Sequence, residues 1–160
     1  MNYLKLLLFV GAFFASYSLL AQPKIETKID LEATEWTLLK VQDSIKIEYK
    51  FIECSDPASG TYDKMKLILK CTNGCSSEVK VSWHALKEFN GDCQSCLYPE
   101  EYSFSFVLAP YDIVQGDCSS KLGNALAYFS KFSDTRYHGD KVEMTGFDLV
   151  NLKITKTEIK

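Results

Sequence analysis

The residues of this 160-residue sequence with the most direct chemistry are six cysteines: Cys54, Cys71, Cys75, Cys93, Cys96 and Cys118. An even number of cysteines favours disulfides over free thiols in an exported chain, and residues 1–21 of this one have the pattern of an export signal. The Asn73–Gly74 turn predicts a local Cys71–Cys75 bridge, and the close spacing of Cys93 and Cys96 predicts a second one. Cys54 and Cys118 then remain for a long-range bridge. A bridge from Cys75 to Cys93 or Cys96 is the alternative.

A structural zinc site is a second chemistry that the cysteine spacing fits. Two closely spaced pairs, Cys71 with Cys75 and Cys93 with Cys96, resemble the two halves of a four-thiolate site. However, a segment with strong β-patterning, 79–85, separates the pairs, and export favours oxidation of thiols. We therefore expect no metal and keep zinc binding as an alternative.

Thiol–disulfide exchange at Cys93 and Cys96 is a third chemistry. Redox-active pairs of this spacing lie at the N-terminus of a helix, which lowers the pKa of one thiol. Here Gly91–Asp92 precedes the pair and Tyr98–Pro99 follows it, and both dipeptides are typical of a loop. A redox function is therefore an alternative to a purely structural bridge.

The two histidines, His84 and His138, complete no recognisable catalytic motif. His84 falls on the polar face of a predicted strand and His138 in the 136–139 loop, so we expect both to be solvated. The sequence contains no nucleophile elbow, zinc-protease helix, Walker loop or EF-hand loop. We predict a protein that is not an enzyme and that uses no cofactor.

Aromatic residues outside the predicted strands are the candidate binding residues. They are Phe89, Tyr98, Tyr111 and Tyr137, and aromatic side chains are enriched where proteins recognise partners. The cysteine-bearing segment 88–101 would form a stiff platform and lower the ordering cost of binding. We predict a binding site at Phe89, Tyr98 and Tyr111, with burial of these rings over the ends of the domain as the alternative.

Residues 1–21 have the pattern of a secretory signal. Lys5 precedes an uncharged run, 6–15, and the segment 18–21 ends in a small residue before Gln22. The apolar stretch is slightly short of the roughly 20 residues that a spanning helix needs, so an uncleaved anchor is the alternative. We expect cleavage after Ala21 and a mature protein without a membrane span, located in the periplasm, at the cell envelope or outside the cell.

Composition excludes several classes of protein. The chain is 46% hydrophobic and 24% charged with a net charge of −3, which excludes a disordered tail and a basic nucleic-acid arm. Lysines such as Lys64, Lys66 and Lys70 alternate outward along strands without forming a dense cluster, a common guard against edge pairing. Nucleic acid is therefore not an expected partner.

Apolar residues alternate with polar ones along most of the chain, which predicts strands rather than helices. The predicted strands start near Trp36, Ile45, Lys64, Val79, Tyr102, Ala125 and Phe147, with a short one at Ile113. Seven or eight short strands with one apolar face each bury that face best as two packed sheets. We predict an all-β, immunoglobulin-like sandwich over residues 35–156, preceded by an extension at 22–34, with a small barrel as the alternative.

Four segments resemble the immunoglobulin-like modules of bacterial surface proteins: Lys66–Asn73, Val79–Trp83, Phe104–Pro110 and Gly116–Cys118. Together with the Ala21–Gln22 junction, they make the chain similar to small uncharacterised secreted proteins of Bacteroidota. The resemblance implies the fold and the compartment, and it transfers no catalytic residue. We therefore expect a binding or adaptor module whose partner is an envelope protein or a surface polysaccharide.

Overall fold

Strands are the regular elements of the computed structural model, which describes residues 25, 28–55, 62–119, 125–134, 136 and 138–157. They are β1 (Thr37–Gln42), β2 (Ile45–Cys54), β3 (Lys64–Asn73), β4 (Val79–Phe89), β5 (Asp92–Cys93), β6 (Ser103–Leu108), β7 (Ile113–Gln115), β8 (Ala127–Phe132) and β9 (Met144–Lys156). No helix in this described part is long and apolar enough to cross a membrane. The predicted signal segment, 1–21, and Tyr137 lie outside the described residues.

The nine strands form two antiparallel sheets. Sheet A has the order β1-β2-β3-β7, and β8 also pairs with β3. Sheet B is centred on β4, which pairs with β9 on one side and with β5 and β6 on the other. This confirms the predicted all-β architecture of two sheets, and it is compatible with an immunoglobulin-like sandwich.

The core lies between the sheets because alternate residues of each strand point inward. Inward residues of β2, β3 and β4 are almost fully buried: Ile45, Ile47, Tyr49, Phe51, Leu67, Leu69, Cys71, Val79, Val81, Trp83 and Ala85. β2 and β3 pair without a register shift from Ile45–Asn73 to Cys54–Lys64. A slip of one residue would turn every inward side chain outward, so burial of this face fixes the register.

β4 extends further than its sequence pattern predicts. The alternation predicts a strand that ends at Ala85, but β4 continues to Phe89 and turns directly into β5. Asn90 and Gly91 form this two-residue turn with φ angles of 51° and 89°. A hairpin turn with positive φ at both central residues matches the twist of the strands, and Asn-Gly is its preferred sequence.

The segment before β1 belongs to the domain rather than to a separate extension. Ile29 and Ala33 are buried in the core. The Phe51 N–H donates to the Ala33 carbonyl at 2.7 Å, and the Asp30 N–H donates to the Tyr49 hydroxyl at 2.7 Å. The packed domain therefore begins before residue 35, the predicted boundary.

Candidate functional site

Two of the three predicted disulfides are present. Cys54 is bonded to Cys118 and Cys93 to Cys96, whereas Cys71 and Cys75 are free thiols. The predicted Cys71–Cys75 bridge is wrong because Cys71 points into the core while Cys75 lies beyond the turn, with its thiol 3.6 Å from the Asp43 carbonyl.

Contacts with neighbouring segments hold this turn open. The Asn73 side-chain amide donates to the carbonyls of Ser77 at 3.0 Å and Ala109 at 2.8 Å. The Gly74 N–H donates to the Ser44 carbonyl at 2.9 Å. The chain is therefore anchored away from the conformation that would bring the two sulfurs together.

The geometry of the cysteines does not resemble a zinc site. Cys93 and Cys96 are bonded to each other and are not presented together with Cys71 and Cys75. Over the described ranges, no three side chains of the His, Cys, Asp or Glu type are grouped so that they could hold a metal ion.

The two free thiols are expected to differ in reactivity. Burial raises the pKa of Cys71 to about 12, and its side chain is enclosed by the core. Only a thiolate that a reagent can reach is alkylated quickly, so native alkylation at neutral pH should label Cys75 alone. Intact mass would show one label on the native protein and two after denaturation without reductant.

A Cys75→Ser variant is the control for this experiment, because its native form should take up no label. Two labels on the native wild type would contradict the buried position of Cys71. No labels after denaturation would mean that a third bridge forms.

The candidate functional site is the tip loop, residues 94–102, which connects β5 to β6. Leu97 and Tyr98 are 66% and 59% exposed at its apex. The Cys93–Cys96 bridge constrains the first turn of the loop. Between these cysteines, the fully buried Ser95 accepts a hydrogen bond from the Lys87 N–H through its hydroxyl at 2.7 Å. The exposed pair thus stands on a base that is fixed to β4.

The second half of the tip loop is held by the outer face of sheet B. The Pro99 carbonyl accepts hydrogen bonds from the Ser103 hydroxyl at 2.8 Å and from His84 Nδ1 at 3.0 Å. Since a carbonyl can only accept, Nδ1 carries the proton. Lys87 Nζ lies 4.1 Å from the centroid of the Tyr102 ring, and burial lowers the pKa of Lys87.

The loop also accounts for a wrong prediction about His84. The strand pattern predicts a solvated side chain, but His84 is only 5% exposed. The tip loop crosses this part of the outer face and covers the imidazole through Pro99. His84 therefore positions the loop and is not a surface residue.

The three predicted binding residues have different surroundings. Tyr98 and Tyr111 are exposed, the latter by 68%, but Phe89 is 5% exposed and stacks on Phe129 at a centroid distance of 6.1 Å. Phe89 is buried because it ends β4 and faces the core instead of lying in a loop. This removes Phe89 from the candidate binding surface.

Within one chain, Tyr98 and Tyr111 lie apart from each other. Tyr98 precedes β6 and Tyr111 follows it, so they flank opposite ends of the same strand. Leu97, Val107 and Ile113 are also exposed near β6, and sequence analysis did not select them. The sequence of an aliphatic residue does not indicate whether its side chain is buried or exposed. For Leu97 one signal was present, because it directly precedes Tyr98 in a segment with no strand pattern.

A cleft of about 550 Å³ lies between β8 and the start of β9, next to the β4–β5 turn, where the Asn90 side-chain amide donates to the Lys141 carbonyl at 2.9 Å. It is lined in part by Lys131, Phe132, His138 and Glu143. Lys131 Nζ lies 2.8 Å from Glu143 Oε1. Asp134 is bound by the Arg136 guanidinium, whose hydrogen bond lowers the pKa of Asp134. Lys131, Glu143 and Asp134 are thus each paired with a charge of the protein itself.

The fold and the tip loop define a disulfide-stabilised, two-sheet domain that displays an apolar apex. Comparison of the chain with protein-family models, curated proteins and solved structures gives no match.

Proposed function

We propose that the chain is an exported, non-enzymatic binding or adaptor module of the cell envelope that recognises a protein partner through its tip loop. The observation that carries this proposal is the exposure of Leu97 and Tyr98 at the apex of a loop fixed at both ends. Its disulfides are compatible with an oxidising compartment outside the cytoplasm.

A fixed loop favours binding because little conformational freedom is lost when the partner docks. A few side chains, most often Trp, Tyr and Arg, contribute most of the free energy at protein interfaces once water is excluded around them, and Tyr98 is of this kind. The aliphatic Leu97 beside Tyr98 favours a protein partner over a polysaccharide, because a sugar ring is contacted best by flat aromatic faces.

Thiol–disulfide exchange is the alternative function for the Cys93–Cys96 pair. A helix N-terminus lowers the pKa of the attacking thiol in proteins of that kind. Here Cys93 lies in the short strand β5, and Ser95 between the cysteines is hydrogen-bonded to the backbone of β4. These surroundings favour a structural role for the bridge.

Substitution of the apex should weaken partner binding without unfolding the domain. We expect Leu97→Ser and Tyr98→Ala each to weaken capture of the partner from a cell-envelope extract by about tenfold or more, since a residue at the centre of an interface contributes 1.4 kcal/mol or more. Quantitative pull-down with the exported protein measures the effect, and a thermal melt by circular dichroism tests the fold.

Leu38→Ser is the matched control, because Leu38 is 57% exposed on β1, away from the tip loop. It should leave capture unchanged. Equal retention of the partner by wild type, Leu97→Ser and Tyr98→Ala would show that the tip loop is not the binding site.

A further inference from the structure

Exposed apolar side chains are concentrated around one strand. The described residues include nine large hydrophobic side chains that are exposed, and five of them lie on β6 or flank it: Leu97, Tyr98, Val107, Tyr111 and Ile113. Within one chain they form no continuous patch, because Leu97 and Tyr98 precede β6 while Tyr111 and Ile113 follow it.

β6 itself has an open edge without charge. Among the described strands it pairs only with β4, and its segment from Tyr102 to Ala109 contains no charged residue. The Ala85 N–H donates to the Tyr102 carbonyl at 2.9 Å. Because the direction of backbone groups alternates along an antiparallel strand, the N–H and C=O groups of Ser105 and Val107 point away from β4.

In contrast, the opposite side of the sandwich is protected against pairing with another chain. At that side, Lys40 Nζ of β1 lies 2.9 Å from Asp148 Oδ1 of β9, and the Gln42 side chain donates to the Leu152 carbonyl at 3.5 Å. Charged side chains on an edge are a common protection against pairing with another chain. β6 has no such protection.

We propose that β6 pairs with β6 of a second copy of this chain, antiparallel about a two-fold axis through Ser105. In an antiparallel pair, two residues that lie opposite each other point to the same face of the sheet. The two-fold axis must therefore pass where one residue lies opposite its own copy, and not between two neighbouring residues. A centre at Ser105 places Ser103 opposite Val107 of the second copy. No charged residue meets a like charge along this edge.

The same register extends the aromatic part of the core. It places Phe104 of each copy opposite Phe106 of the other on the inward face of sheet B. In one copy both rings are only half-buried, Phe104 against Tyr128 at 6.1 Å and Phe106 against Trp83 at 5.2 Å between centroids. Cross-strand aromatic pairs stabilise a sheet, and here they would also remove apolar surface from water.

The pairing also joins two apolar surfaces that one chain keeps apart. In an antiparallel pair the start of each strand lies beside the end of the other, so the Leu97–Tyr98 apex approaches Tyr111 and Ile113 of the second copy. The dimer thus forms two equivalent composite apolar surfaces. This inference rests on the proposed function of the tip loop, for which it names the second copy as a contributor to the binding surface.

A charge exchange at Ser105 tests the pairing. The full chain, recovered from the exported fraction, should reach the mass of two chains in light scattering and native mass spectrometry as its concentration is raised from about 1 μM to about 1 mM, the dissociation constants of a weak interface. Ser105→Lys and Ser105→Asp should each have the mass of one chain, since like charges would face each other at about 5.5 Å. Mixing the two variants should restore a dimer that contains one copy of each.

Val41→Lys, a change of an exposed β1 residue, is the control and should stay dimeric. Circular dichroism should show the same fold in all variants. A wild type that is monomeric over the whole range, or a dimer that Ser105→Lys and Ser105→Asp leave intact, would overturn the proposal.

The pairing and the proposed function fail in different ways. A monomeric wild type that still loses its partner on Tyr98→Ala would overturn the pairing and leave the tip-loop function in place. A dimer that depends on Ser105 while capture is insensitive to Leu97→Ser and Tyr98→Ala would support the pairing and refute the tip loop as the binding site.

Discussion

Replacement of both Cys54 and Cys118 by alanine is expected to lower the free energy of unfolding by about 4 kcal/mol. The two residues are 64 positions apart, so their bridge closes a loop that contains β3 to β7. Such a bridge reduces the conformational entropy of the unfolded chain, and the effect increases with loop length. Since domains of this size unfold at a cost of about 5–15 kcal/mol, the loss is a large share of the total.

Urea unfolding followed by circular dichroism measures this loss, and Cys93→Ala with Cys96→Ala is the matched control. These cysteines are separated by three positions, and the same entropy model gives about 2 kcal/mol for so short a loop. We expect the control to remain folded but to lose affinity for the partner, because the first turn of the tip loop is no longer constrained. If the two variants lost the same free energy of unfolding, loop length would not be the main determinant of how much each disulfide stabilises the domain.

The parts of the fold that depend on local alternation could be predicted from the sequence. Ile45, Ile47, Tyr49 and Phe51 alternate with polar residues, and burial of one face of β2 leaves a single arrangement for them. The Cys54–Cys118 bridge was predicted correctly, but from the premise that Cys71 pairs with Cys75, which the structure contradicts. Disulfide pairing depends on the direction of side chains in three dimensions, which cysteine spacing does not specify.

The extension of β4 was missed although its signal is in the sequence. Asn90–Gly91 is the preferred dipeptide of a two-residue hairpin turn, and it places Phe89 in a strand that faces the core. The dipeptide Gly91–Asp92 instead predicts a loop around the cysteines. The wrong assignment of Phe89 to the binding site follows directly from the missed turn.

The candidate site depends on contacts between distant segments and could be predicted only in part. The sequence places Tyr98 outside the strands, and the residue is exposed there. The burial of His84 depends on Pro99, fifteen positions later, which returns across the face of the strand. The separation of Tyr98 and Tyr111 depends on the position of β6 in the sheet, and alternation alone does not give strand order.

Trp83→Ala should be the most destabilising single substitution among those considered, with a loss of about 3–5 kcal/mol in the free energy of unfolding. Trp83 is 2% exposed on β4 of sheet B, and its ring lies edge-on to Phe106. Its indole Nε1–H donates to the hydroxyl of Tyr128 on β8 of sheet A at 3.3 Å. Removal of the ring would therefore leave a cavity between the sheets.

Two conservative variants separate the packing of Trp83 from its hydrogen bond. Trp83→Phe keeps most of the apolar volume and should lose about 1 kcal/mol, the net value of a typical hydrogen bond. Tyr128→Phe takes the acceptor from a buried indole N–H and should lose about 1–3 kcal/mol. The double variant should be more stable than the sum of the two losses implies, because the bond between the two side chains can be lost only once, although Tyr128→Phe in either background also removes the 2.8 Å bond from the Tyr128 hydroxyl to the Ala125 carbonyl. Additive losses in urea unfolding would show that the bond does not couple the sheets.

The same variants test whether stability and binding are separate properties of β4. Its inward residue Trp83 joins the sheets, while His84 and Lys87 hold the tip loop on the other side through Pro99 and Ser95. Trp83→Phe should therefore retain partner capture at 25 °C despite its lower stability, whereas Tyr98→Ala should lose capture at unchanged stability. If Trp83→Phe loses capture while still folded, then the geometry of the apex depends on packing between the sheets and not on the loop contacts alone.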